Sequence, residues 1–159
     1  MGWKIYGRRI ESGELSDTSK FQTVKINKNT ILKAVRTWII INNDPTFTDL
    51  NMKIYSNNVI SGENSPGSLL YTSTNVQAKA DILTENNGAR ELWFEFDDVP
   101  MQENTYYNFV LNGTGYAYSL SSHLAWRVAW PDPVHDGYTP DALNAGIAPY
   151  CIYMVGSEY

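Results

Sequence analysis

The sequence predicts an all-β protein, a two-sheet antiparallel β-sandwich of the jelly-roll type. Three observations predict it. About nine or ten short segments rich in β-branched and aromatic residues are separated by turn-forming residues roughly every 8–15 positions. No segment carries a long apolar period of 3.6, so strands do not alternate with helices and a parallel α/β sheet is excluded. The connections are longer than tight hairpins need, which favours a jelly roll, and the absence of any 20–50-residue repeat excludes a propeller or solenoid.

Taken in order, residues 1–19 read as an N-terminal arm. Trp3 to Tyr6 is either an edge strand or a docked piece of that arm, and 11–19 is a polar loop. Phe21–Ile26 is a strand, closed by a turn at Asn27–Thr30. Ile31–Ile41 is the strongest strand, ending in a continuous apolar run suited to a central position, and Asn42-Asn43-Asp44-Pro45 terminates it. Leu50, Met52 and Ile54 alternate with Asn51, Lys53 and Tyr55, the pattern of a half-buried strand. Residues 56–67 read as a loop whose Ser65-Pro66-Gly67 has type II turn chemistry. Leu69–Ser73 is a short strand. Val76–Leu83 alternates like a strand but is also compatible with a helical turn; strand is the favoured reading.

Asn86-Asn87-Gly88 is a turn. Leu92, Phe94 and Phe96 face a core, opposite Glu91, Trp93 and Glu95, and Asp97-Asp98-Val99-Pro100 ends that strand. Tyr106–Leu111 is a strand and Asn112–Gly115 its turn. Tyr116–Ser119 and Leu124–Trp130 form two strands or one bulged strand. Residues 131–149 hold four prolines and two glycines and read as a long ordered loop before a last strand at Tyr150–Val155. The expected core is Val35, Trp38, Ile40, Ile54, Leu92, Phe94, Phe96, Phe109 and Leu111.

Composition sets the limits on function. The 159 residues, 43% of them hydrophobic, make one domain large enough to bury a core without staples. One cysteine, Cys151, excludes an internal disulfide framework and a Cys-rich zinc site, and its apolar neighbours make it a small buried hydrophobe. No apolar run is long enough to span a membrane as a helix, and the first 20 residues have no signal-peptide h-region. A net charge of −5 argues against general nucleic-acid binding. That charge is unevenly spread: residues 1–80 hold ten Lys/Arg and six Asp/Glu, whereas 81–159 hold two and eleven. The asymmetry is either chance segregation on a solvated surface or the mark of a molecule that packs against itself or a charged partner.

Catalytic motifs are missing. No nucleophile elbow, zinc-protease helix or P-loop occurs. His123, beside Leu124 and Trp126, reads as a packed histidine. His135 lies near Asp132 and Asp136, and Asp97-Asp98 are adjacent acids, but both spacings are weak metal patterns, so no metal and no cofactor is expected and a chelator should leave the melting temperature unchanged. Glu91 and Glu95 share one face of a strand with Trp93 between them, which suits a sugar-binding face as well as an ordinary solvated one. Asn112-Gly113-Thr114 is formally a glycosylation sequon but reads as a turn. The richest signal is aromatic: five Trp and eleven Tyr exceed what a minimal core needs. Trp3, Trp93, Trp130, Tyr138 and Tyr159 fall at chain ends, on an outer face or in loops, where flat rings stack on sugars or anchor protein interfaces. With His135 they are the candidate binding residues. Trp130, His135 and Tyr138 on the 131–149 segment either contact a partner or simply cover an open end of the core.

Several segments together resemble jelly-roll accessory modules of the choice-of-anchor and carbohydrate-binding-like kind. Leu50–Tyr55 followed by Ser65-Pro66-Gly67-Ser68-Leu69-Leu70 is similar to their "LYS…PGxLL" stretch, and Leu92–Phe96 then Gln102–Leu111 to the strand pair that follows it. The resemblance covers about residues 20–130 and rests on turns and core positions. It implies a non-catalytic module of a kind found in secreted proteins and in bacteriophage virions. A chain starting at Met1 without an export signal fits a virion protein made in the host cytoplasm, so the resemblance implies a capsid decoration, head-fibre or tail-associated protein on the virion surface. Its expected partners are capsid or tail proteins and further copies of itself. The alternative function is a carbohydrate-binding module recognising a host-surface glycan.

Overall fold

A computed structural model describes residues 7–9, 20–82, 88–128, 137–141, 150 and 152–158. In chain order its elements are β1 (Gly7–Arg9), β2 (Phe21–Ile26), β3 (Thr30–Asn42), β4 (Asp49–Ile60), β5 (Glu63–Thr72), β6 (Gln77–Ala78), the single helical turn α1 (Lys79–Ile82), β7 (Gly88–Met101), β8 (Tyr106–Thr114), β9 (His123–Arg127), β10 (Tyr138–Pro140) and β11 (Ile152–Glu158). They form two antiparallel sheets packed face to face. One runs β1-β9-β3-β7, with β11 continuing the row of β9 along β3; the other runs β10-β2-β8-β4-β5, with β6 beside the start of β4. The quartet β1-β9-β3-β7 thus lies on the quartet β2-β8-β4-β5, and the chain changes sheet at nearly every connection. That strand order is a jelly roll.

Between the sheets, Val24 and Ile26 of β2, Leu50, Met52 and Ile54 of β4, Leu92 and Phe94 of β7, Phe109 and Leu111 of β8, and Leu124 and Trp126 of β9 are buried. The largest of these, Trp126, stacks on Tyr150 with ring centroids 4.1 Å apart, and its indole N–H donates to the Thr37 hydroxyl at 2.8 Å. Seven of the nine expected core residues are buried here; Trp38 and Ile40 are not. On β3 it is Thr37, Ile39 and Ile41 that point inward, so Trp38 and Ile40 lie on the outer face, half-buried. An unbroken apolar run has no phase of its own, and Thr37, the polar residue that would set one, is buried because Trp126 satisfies it.

The stretch 56–67 is not a loop. β4 and β5 continue through it as a hairpin, Ile60 opposite Glu63, turning on Ser61 (φ 52°) and Gly62 (φ 80°), the two positive φ values of a type I′ turn. Pro66 therefore sits in a strand, which is tolerated because β5 is a sheet edge. Gly67 serves close approach rather than a turn: a Cβ there would lie 2.6 Å from the Ser56 Oγ. Asp97-Asp98 does not end β7. The pair forms a bulge between the registers Ala34–Glu95 and Leu32–Val99, with Asp98 at φ 47° and its carboxylate on Lys33. Within the segment read as Val76–Leu83, Gln77–Ala78 form β6 and Lys79–Ile82 the helical turn α1; Leu83 lies outside the described residues. β8 runs on through the sequon to Thr114, and residues 116–119 carry only the isolated bridges Thr46–Ala117 and Ser119–Ser122. The segment 131–149 contains β10, which pairs with β2, so it is not wholly loop; the arm 1–19 contributes β1, paired with β9. The two halves of the chain interleave, and charges from one pair with charges from the other: Lys33 with Asp98, Arg36 with Glu91.

Candidate functional site: the outer face of the β7-β3-β11 sheet

The register assembles this face from three strands. Arg36 on β3 stands opposite Trp93 on β7 and Tyr153 on β11, and Trp38 stands opposite Glu91. Period two puts all of them on the side away from the core. The Tyr153 ring meets Trp38 edge-on at 5.3 Å, and the Arg36 guanidinium lies 5.3 Å from the Trp38 ring centroid while its Nε donates to Glu91 Oε1 at 2.8 Å. From β9, Arg127 brings a second guanidinium to within 6.0 Å of the same ring. Cation–π attraction and the cross-strand ion pair together hold these side chains as a layer.

Trp93 is the open end of that layer, 37% exposed. It borders a shallow groove of about 380 Å³ whose walls include Lys33, Thr74, Glu95, Asp97 and Val155. The backbone under Trp93 is fixed from the sheet edge. Asn75 donates from Nδ2 to the Trp93 carbonyl at 2.9 Å and accepts from the Glu95 N–H at 2.6 Å; Gln77 Oε1 accepts from the Trp93 N–H at 3.3 Å. Thr74 N–H adds a bond to the Glu95 carbonyl at 2.8 Å. The segment 74–77 thereby occupies the edge groups of β7 that a further strand would otherwise seek. Chemically the groove offers a flat ring, two carboxylates able to accept from hydroxyl groups, and a hydroxyl at Thr74.

Of the six candidate binding residues, Trp93 is the one the described residues place on this face, and Glu91 and Glu95, which the sequence put on the same strand face, accompany it. Tyr138 is in β10 and 8% exposed; its hydroxyl accepts from the Met154 N–H at 3.0 Å, so the ring packs between the sheets instead of standing out as an anchor. Trp3, Trp130, His135 and Tyr159 lie outside the described residues, as do Cys151 and the Asp132–Asp136 stretch. His123 is buried, its Nδ1 3.1 Å from the Ser119 carbonyl and its ring beside Tyr118. Among the described residues no group of three or more His, Cys, Asp or Glu is placed to hold a metal, and no helix is long and apolar enough to cross a membrane. Sequence reasoning missed Arg36, Trp38, Tyr153 and Arg127. Arg36 and Trp38 are two apart on one strand, which puts them on one face, but their meeting with Tyr153 and Arg127 depends on cross-strand register.

The chain matches no family model, no curated protein and no solved structure.

Proposed function

We propose that this protein is a non-catalytic glycan-binding module, carried on a virion surface, that meets its ligand on the outer face of the β7-β3-β11 sheet. The observation that carries the reading is Trp93: an indole on a rigid, edge-secured strand, bordering a groove lined by carboxylates and a hydroxyl. A ring face takes the apolar side of a sugar while neighbouring polar groups take its hydroxyls. Binding rather than hydrolysis is favoured because Glu91, one of the two acids on this strand face, is committed to Arg36. The virion setting is supported by the resemblance to virion-borne jelly-roll modules.

The test is a glycan array with the purified chain, followed by calorimetry on the hits for wild type and Trp93→Ala. A stacked ring is worth on the order of 1–1.5 kcal/mol, so the substitution should weaken binding about tenfold with little change in melting temperature. An array without hits, or an affinity indifferent to Trp93→Ala, would overturn the reading.

A further inference from the structure

We infer that Arg127 forms a carboxylate-binding subsite on this same face, so that the glycans recognised are acidic, bearing a uronic- or sialic-acid-type group. The inference rests on the glycan-binding reading and specifies its ligand class.

The two arginines of the layer differ in what they meet. Arg36 is committed to Glu91 at 2.8 Å. Arg127 is also held against Trp38, but among the described residues it meets no carboxylate, and it is partly exposed at the end of β9. A guanidinium beside an aromatic ring, whose donors meet no acceptor among the described residues, is suited to a planar carboxylate, which it can bind through two parallel hydrogen bonds.

Position makes the subsite part of the platform. Arg127 follows Trp126, the partner of Ile39, and so lies beside Trp38 on the flank of β3 opposite β7. From the strand spacing of ~4.8 Å and the rise of ~3.3 Å per residue, the Trp93 and Arg127 backbones are about 12 Å apart, with Arg36 and Trp38 between them. That span suits a short oligosaccharide with one ring on Trp93 and an acidic residue at Arg127. Charge orients it: the carboxylates of Glu95 and Asp97 line the groove at the Trp93 end, where Lys33 is already paired with Asp98, so a ligand carboxylate is repelled there and drawn toward Arg127.

The experiment uses two matched pairs of probes on the full chain, sialyllactose against lactose and tri-galacturonate against its carboxyl-reduced form, by calorimetry at low and high salt. The acidic member of at least one pair should bind about tenfold tighter, with the advantage shrinking as salt rises. Arg127→Gln should remove the preference, bringing the acidic member's affinity down to that of its neutral partner measured on the same variant; Arg127→Lys should restore only part of it. Trp93→Ala should weaken both members of a pair equally. If the neutral sugars bind and the acidic ones bind no tighter, or if Arg127→Gln keeps the preference, the inference fails while the glycan reading stands. If neither member of either pair binds and the array is also blank, both fall.

Discussion

Asn108→Ala tests what fastens the long β4–β5 hairpin to the body of the protein. Asn108 is fully buried, although it belongs to the outer side of its sheet. Its Nδ2 donates to the Ser56 carbonyl and Asn57 Oδ1 at 3.1 Å and to the Ser65 carbonyl at 3.3 Å, and its Oδ1 accepts from the Thr23 hydroxyl at 2.6 Å. One side chain thus ties both hairpin strands to β2 and β8. The network continues from Asn57 to Asn64 at 2.8 Å and from Asn64 to Asp141 at 3.0 Å. Alanine at 108 leaves the Thr23 hydroxyl stranded in a buried setting, at about 1–3 kcal/mol, and weakens the half-buried Ser56 and Ser65 carbonyls by about 0.5 kcal/mol each. The expected loss is about 3 kcal/mol. Thr23→Val, which keeps the shape, should cost about 1–2 kcal/mol, and the double variant should fall short of the sum by about 1 kcal/mol because the two side chains share one bond. Urea denaturation of the four proteins measures the cycle. In Asn108→Ala, limited proteolysis near residues 57–65 should also accelerate. A loss below about 1 kcal/mol, or additivity within about 0.5 kcal/mol, would refute the account.

Three other substitutions separate the faces of the sandwich and probe a close backbone approach. Trp126→Ala should cost about 3–5 kcal/mol, since it empties the core against Tyr150 and removes the indole bond to Thr37, whereas Trp38→Ala on the outer face should cost about 1–2 kcal/mol; both are read by urea denaturation, and equal losses would contradict the assigned phase of β3. Gly156→Ala should cost about 1–3 kcal/mol and loosen amide exchange along β11, because a Cβ there would lie 2.3 Å from the Ile31 carbonyl oxygen across the β3–β11 ladder.

What was legible in the sequence follows from which forces act locally. Strands with a clean period of two, Leu50–Tyr55 and Leu92–Phe96, are half-buried with the faces the alternation predicts. β3 defeated the same logic because its end has no polar marker except Thr37, whose hydroxyl is satisfied by a tryptophan 89 residues away. The hairpin at 56–67 was hidden by its polar composition: its residues are held by the Asn108 network and by Ser56 contacts, not by apolar burial, and Pro66 and Gly67 carry the outward marks of a turn. Asp97-Asp98 looked like a strand end because bulges and ends use the same residues. For the site, exposure on an outer strand face was enough to find Trp93. Arg36 and Trp38 needed the phase of β3, and Arg127 and Tyr153 needed the strand order, which no local pattern encodes.

The strand order also governs how this chain can come to be folded. Among the described strands, β4 and β5 are the only pair that are neighbours both in sequence and in a sheet. Every other ladder waits for distant chain: β3 for β7, β2 for β8, and β1 for β9, with Gly7 opposite Arg127. Closing such loops costs entropy before any contact repays it, which places the protein with the slower-folding topologies. The hairpin turning on Ser61-Gly62 is then the natural nucleus, as its loop is two residues long. During synthesis β2 and β3 leave the ribosome with no sheet to join, and their apolar runs stay open until β7 and β8 emerge. The aggregation hazard of this protein therefore lies in its first forty residues and in the interval before its second half is made.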